Sequence, residues 1–280
     1  MMTNIPQIPL VDWIDILVEW LKNNAQWFFN PINNFLGTFV NFLSNMLISI
    51  SPIIFIIVFV GISIYLTKKI WGLSIFILLG LLLIWNLDYW EETMLTLSLI
   101  LTSSIISILI GIPLGIWMSK NNTVKGIVTP ILDLMQTMPA FVYLIPAVSF
   151  FGIGMVPGII ASVIFAMPPV VRLTNLGIRQ VPRELIEAAD SFGSTGRQKL
   201  FKVQLPLAKT TIMQGINQTI MLALSMVVIA SMIGAEGLGT EVYRAITRNN
   251  AGQGFAAGLS IVILAIMLDR LIQAGNKKSQ

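Results

Sequence analysis

Apolar residues along this chain fall in windows long enough to cross a lipid bilayer, separated by short polar connections. About 20 consecutive apolar residues let a helix span the hydrocarbon core. Seven such windows are predicted, roughly 48–66, 70–87, 93–119, 129–150, 155–171, 207–233 and 255–273. The fifth ends in Met167-Pro168-Pro169, where proline is expected to kink or end the helix near one membrane face. In the fourth, Thr129 is expected as N-cap, Pro130 at the first helical position and Asp133 close to the positive end of the helix dipole. Asp133 then sits at a surface end of its helix. Ahead of the windows, Asp12, Asp15, Glu19 and Lys22 recur at helical spacing among Trp13, Ile14, Leu17, Val18 and Leu21. A second amphipathic run follows Asn30-Pro31, with Phe35, Phe39, Phe42 and Met46 on one side. Residues 1–47 therefore predict an amphipathic interfacial scaffold lying on the outer leaflet, with a docking surface for an external partner as the alternative. They do not read as a signal peptide, because no basic run precedes an apolar core.

Between the fifth and sixth windows the pattern changes. Val181-Pro182 can open a helix with Glu184 at its positive end, and Leu185, Ala188, Ala189 and Phe192 fall at i, i+3, i+4 and i+7 as one apolar stripe. Gly193 is placed to end it in a left-handed cap. A second short helix through Lys199 to Lys202 then turns back to Leu205-Pro206, which opens the next span. An isolated helix this short is marginal in water, so the stripe implies a partner that covers it.

Composition fixes the solvent. With 55% hydrophobic and 11% charged residues and a mean hydropathy of +0.83, the chain is far from a soluble domain and reads as an all-α polytopic membrane protein. The net charge of +4 follows from positive-inside topology and does not call for nucleic acid. Lys68, Lys69, Lys120, Lys125, the run from Arg172 through Lys209, Arg270, Lys277 and Lys278 fall on one side; Lys22, Arg244 and Arg248 fall on the other. That asymmetry predicts a multi-pass protein of the cell membrane with its N-terminus outside and its C-terminus inside. The absence of Cys and His removes thiolate and imidazole metal sites and the usual general base, so neither a metal centre nor catalysis is expected. No window supplies the spacing of a phosphate-binding loop: GSTGRQK fails, and GAEGLGT at 234–240 lacks the lysine and reads as a flexible outer gate or a turn.

The stretch EAADSFGSTGRQKLFKVQLP, Glu187 to Pro206, resembles the EAA motif of ABC importer permeases, with Glu187, Ala188, Ala189, Gly193, Leu205 and Pro206 in register and Val203 where Ile is commoner. DLMQTMPAFVYLIPAVSFFGIGMVPG, FAMPPVVRLTNLGIRQVP and the run from Gly237 to Gln273 are similar to the permease subunits of glycine betaine and proline betaine importers, the osmoprotectant type. The resemblance implies a type I ABC importer transmembrane domain over 88–280, two additional transmembrane helices at 48–87 and a coupling helix at about 182–193. It implies that Leu185, Glu187, Ala188, Ala189, Phe192, Gly193, Leu205 and Pro206 serve docking to a separate ATPase subunit, which carries ATP and Mg; no cofactor is expected on this chain. It also implies an extracytoplasmic substrate-binding protein, expected to be separate since the sequence ends at Gln280 without one, and a second copy of the chain.

A quaternary ammonium is held best by aromatic faces, which makes Trp117, Phe141 and Tyr143 candidates for the substrate path, with ordinary packing as the alternative. Gly111 and Gly115 allow close helix approach at a dimer seam or at a kinked packing site around Pro113. The rival class is an ion-coupled secondary transporter or channel. It would show inverted repeats or midplane charges; the sequence has no evident repeat, and Asp269 beside Arg270 reads as a local pair or an interfacial anchor.

Overall fold

The computed structural model describes residues 9–67 and 71–278, and every regular element among them is helical. Lys68 and Lys69, counted above as inside charges, lie outside the described residues. The chain opens with α1 (Leu10–Asn24) and α2 (Gln26–Ser49), followed by α3 (Pro52–Thr67) and α4 (Trp71–Asn86). Then come α5 (Trp90–Lys120), α6 (Asn122–Thr137), α7 (Ala140–Phe151), α8 (Met155–Arg179), α9 (Arg183–Ser191) and α10 (Gly196–Lys199). A π-helical turn, Leu200–Gln204, leads into α11 (Leu205–Ser231), and α12 (Leu238–Thr247) and α13 (Ala251–Lys278) close the fold.

The helices containing α5, α8, α11 and α13 are each long and apolar enough to cross a membrane. The other predicted windows differ in kind. Residues 129–150 are not one helix: α6 and α7 meet at a bend of 99°. Pro139 disfavours helical geometry at Met138 and has no N–H to donate, so α6 stops there. Likewise the window at 48–66 starts only at Pro52, and α2 meets α3 at 96°. Thr129 is not a cap, because α6 begins seven residues earlier, where the Asn121 side chain accepts from Thr123 N–H (2.8 Å) and Val124 N–H (3.2 Å). Pro130 accordingly lies inside the helix, and the Thr129 hydroxyl donates back to Lys125 O.

Pro168-Pro169 neither ends nor shortens α8, which runs on to Arg179. Both prolines are buried, and a membrane helix tolerates proline where neighbouring helices pack around it. That packing is unusually close. A Cβ on Gly111 of α5 would stand 2.5 Å from Val170 Cγ1, and one on Gly115 would stand 2.6 Å from Thr174 Cβ and 2.7 Å from Val171 O. From the other side, a Cβ on Gly215 of α11 would come within 3.0 Å of Val170 Cα. The α8 helix is thus gripped between α5 and α11, and Gly111 and Gly115 face their own chain's α8; the seam they fill is intramolecular.

Around this centre, α3 and α4 pack against α13 and are joined to each other by a buried Ser63–Ser74 hydrogen bond of 3.0 Å. The α2 helix crosses the Trp90 end of α5 and touches α7 and α8, with a buried Ser44–Ser98 hydrogen bond of 2.7 Å. Phe29 of α2 stacks on Phe150 of α7 at 4.5 Å.

Candidate functional site

The hairpin grows from the end of α8 opposite α2. Arg179, in the last turn of α8, donates to Asn175 Oδ1 (2.9 Å), to Met118 O at the end of α5 (2.8 Å) and to Asn122 Oδ1 at the start of α6 (2.8 Å). One guanidinium, with its fixed fork of donors, thereby ties three helix ends together just before the chain leaves the bundle. Pro182 stands one residue ahead of α9 as its N-cap, and Glu184 lies in the first turn. At the other end Gly193 adopts φ +72°, Ser194 N–H reaches Ala189 O (3.0 Å) and Gly193 N–H reaches Asp190 O (2.9 Å). These are the paired bonds of a Schellman cap, and they reverse the chain as the glycine predicted.

The return arm starts with a reciprocal cap: Gln198 N–H donates to Thr195 Oγ1, and Thr195 N–H donates to Gln198 Oε1. Lys199 Nζ lies 2.5 and 2.7 Å from the two Asp190 oxygens, holding α10 against α9. No separate helix covers Lys199 to Lys202; the backbone winds through the π turn, with Leu205 N–H donating to Leu200 O. Pro206 accounts for the turn. It has no N–H for the carbonyl four residues back and its ring would strike that carbonyl, and a π turn widens the helix there. Leu205 and Pro206 therefore fix the point where the hairpin becomes a span.

The predicted stripe divides into two. Leu185 is 44% exposed, Phe192 90% exposed, and Ala188 and Glu187 also face outward. Ala189 is only 9% exposed and turns toward the chain's own fold. The helix ends at Ser191, so Phe192 belongs to the cap rather than to the last turn. An arginine at Ala189 would thus disturb the hairpin itself, contrary to the expectation of a stripe wholly free for a partner.

The aromatic candidates sit in different settings. Trp117, near the end of α5, is 58% exposed and Phe141, in α7, 53% exposed. Tyr143 is buried, and its hydroxyl donates toward the carbonyl oxygens of Met135 and Met138. Tyr143 therefore braces the bend between α6 and α7, which is the packing alternative. Asp133 pairs with Arg172 of α8 at 2.5 Å. Asp269 accepts from Asn217 of α11 (2.9 Å) and Gln273 (2.7 Å), while Arg270 stands 3.9 Å away; the carboxylate links α11 to α13 instead of serving mainly its neighbour.

The window approach missed α12, a ten-residue helix too short to register. Leu238 N–H at its start donates to Thr96 Oγ1 of α5 (2.8 Å), and Gly237, at φ +138°, lies so close that a Cβ would meet that oxygen at 2.5 Å. The glycine-rich segment is a docked turn. Glu241 is buried and accepts from Arg244 (2.5 Å) and Gln253 (3.0 Å); the i+3 spacing to Arg244 is a local signal, whereas the contact with Gln253 depends on how α13 folds back on α12.

Comparison with known proteins agrees with this architecture. Residues 107–278 match the family described as binding-protein-dependent transport system inner membrane component. The glycine betaine/carnitine transport permease protein of Listeria monocytogenes is 63% identical, over 100% of this chain and 99% of its own. The glycine betaine transport system permease protein of Bacillus subtilis is 57% identical, over 97% and 96%. Inward facing structures of the MetNI methionine ABC transporter superpose with TM-scores of 0.58 and 0.60 at 24% and 23% identity, over 66% and 68% of this chain and 91% and 93% of theirs. At that identity they speak for the fold, that of a type I importer permease. The spans, the hairpin with its EAA residues and these matches together mean that the chain is a multi-pass ABC importer permease subunit and belongs to the binding-protein-dependent transport system inner membrane components.

Proposed function

We propose that the chain imports glycine betaine and related trimethylammonium carboxylates, forming the membrane path of a complex in which a separate ATPase supplies ATP hydrolysis. The observation that carries the coupling half of this reading is the hairpin: a stapled, capped projection with Leu185, Ala188 and Phe192 exposed, Glu187 beside them, and rigid connections to both α8 and α11. The substrate half rests on the relatives, which are named for glycine betaine and carnitine. Both solutes combine a quaternary ammonium with a carboxylate. Permeases named for choline and for carnitine are each 29% identical, so the preference for the carboxylate rests on the two nearer relatives and on the competition assay below.

On this reading the hairpin faces the cytoplasm, the N-terminus lies outside, and the C-terminus lies inside. A receptor delivers solute from outside, and a second copy completes the path. Residues 1–47 act as the outer scaffold, 48–87 as an added helix pair and 88–280 as the transporting core. The ATPase groove takes Leu185, Ala188 and Phe192, while Ala189, Gly193, Leu205 and Pro206 shape the hairpin. Trp117 and Phe141 remain available to line a path completed by the second copy.

The test is uptake of labelled glycine betaine into liposomes holding the complete complex, with ATP inside and receptor outside. ATP-dependent uptake, displaced by carnitine and much less by choline at equal concentration, is expected. Full displacement by choline would overturn the substrate assignment alone. Uptake driven by an ion gradient without the ATPase would overturn the importer assignment.

A further inference from the structure

At the end of the bundle opposite the hairpin, α2 passes over two glycine turns, leaving a cavity of about 340 Å³ open to the surface. One turn joins α7 to α8 through Gly152 (φ +81°) and Gly154 (φ +133°); the other joins α11 to α12 through Gly234 (φ +84°). The turns are locked together, since Gly154 N–H donates to Ile233 O at 3.0 Å. Asn33 and Asn41 line the cavity from α2, Phe151 and Gly154 from the first turn, and Glu236 from the second. Among the described residues Glu236 is the one charged group in the lining, and neither it nor the two asparagines makes a side-chain hydrogen bond to another described residue.

We propose that this cavity receives a cationic side chain, Lys or Arg, carried on a loop of the extracytoplasmic receptor when that receptor docks. The inference rests on the importer reading above. Its chemistry is that of acceptors without a counter-cation: a carboxylate and two amide oxygens match an ammonium's three donors or a guanidinium's five. The transported zwitterion fits poorly. Its carboxylate would face Glu236 with no cation in the lining, the Gly154 N–H is already engaged, and Phe151 alone offers an aromatic face where a quaternary ammonium wants several. Glu236 also borders a second cavity of about 240 Å³ lined by Glu91, Glu92, Glu241 and Arg244, so the surrounding potential favours approach of a basic surface. Glu236 and Asn41 are exposed and Asn33 is half-buried, so a side chain that enters keeps part of its water. Because one turn opens α8 and the other follows the end of α11, a filled cavity adjoins the outer ends of the helices that carry the hairpin.

The test uses the whole complex in liposomes, with ATPase activity followed as purified receptor is titrated at saturating glycine betaine. Glu236→Gln should raise the half-saturating receptor concentration about three- to fivefold at low salt, as expected for a partly exposed ion pair, leaving the maximal rate unchanged. The effect should shrink as salt screens the charge. Glu236→Lys should raise it further, and Asn41→Asp, which adds an acceptor charge, should lower it. A receptor titration of Glu236→Lys that superimposes on the wild type would overturn the proposal. So would a fall in maximal rate at constant half-saturation, or a changed half-saturation for solute at saturating receptor, which would place the solute itself in the cavity. A wild-type complex that no receptor stimulates would instead overturn the importer reading, and this inference with it.

Discussion

Replacing Gly115 by alanine adds one carbon where the fold leaves no room for it. The new Cβ would lie 2.6 Å from Thr174 Cβ, 2.7 Å from Val171 O and 3.0 Å from Thr174 Cγ2, against an ordinary carbon–carbon contact of about 3.5–4.0 Å. Neither obstacle can swing away: one is backbone, and the other is the branch point of a β-branched side chain with few rotamers in a helix. The α5 and α8 helices must therefore separate by roughly 1 Å, straining the adjacent Gly111–Val170 contact as well. Overpacking of this kind costs about 1–3 kcal/mol. The natural control is Gly126→Ala in α6, where a Cβ meets nothing within 4 Å. Both substitutions gain the same helix propensity, about 1 kcal/mol, so their difference isolates the packing term. Thermal melts in detergent should put Gly115→Ala below Gly126→Ala by roughly 2–4 °C for each kcal/mol. Equal melting points would refute the close-packing argument. If Gly115→Ala instead melted normally but dissociated a dimer, the seam would be intermolecular after all.

Three further outcomes follow from the hairpin, the topology and the bend. Ala188→Arg, at an exposed position, should leave abundance and melting near wild type while abolishing ATPase copurification. Ala189→Arg should lose both, because it buries an unpaired charge; pull-down beside a melting curve separates the two. The chain contains no Cys, so Asn24→Cys, Asn122→Cys, Ser194→Cys and Asn249→Cys can be labelled individually, and labelling from outside, inside, inside and outside is expected in that order; outside labelling at Ser194 would sink the coupling reading. Tyr143→Phe should cost about 1 kcal/mol and open the Met138-Pro139 bend to protease, with little effect if the hydroxyl is not the brace.

What was legible in the sequence is what local physics determines. Gly193 announced its left-handed cap, Pro206 the start of a span, and sustained apolarity the long crossings α5, α8, α11 and α13. The bend at Met138-Pro139 was also written there, but a hydropathy window averages over a proline that has stopped a helix. Conversely Pro168-Pro169 looked like a stop and was not: both residues are buried in a stretch of α8 against which α5 and α11 pack closely, a tertiary fact that no local rule contains. The α9 stripe illustrates the same limit. Helical spacing groups Leu185, Ala188, Ala189 and Phe192, yet which of them meets the chain's own fold depends on how α10 folds back. Gly111 and Gly115 announced a close approach without naming the partner helix.

The arrangement bears on how force would pass through the subunit. A projection transmits motion only if it is stiffer than its attachment. The hairpin is closed by the Schellman cap at Gly193, the Thr195–Gln198 box and the Lys199–Asp190 pair. The ion pair alone contributes little, because Asp190 is half exposed and exposed pairs rarely exceed about 1 kcal/mol; the backbone cap carries more of the stiffness. At its base, one arm continues into α8, whose end Arg179 fastens to α5 and α6, and the other continues without interruption into α11. Those two helices are in turn pressed together at Gly215 and Gly177. A push on α9 therefore has no soft joint to dissipate it near the base of the hairpin. The other interruptions of the helical rods are also tied down: Tyr143 braces the 99° bend between α6 and α7, and the Gly154–Ile233 bond joins the glycine turns at the opposite end, so motion of the hairpin would carry the α8–α11 pair as one body.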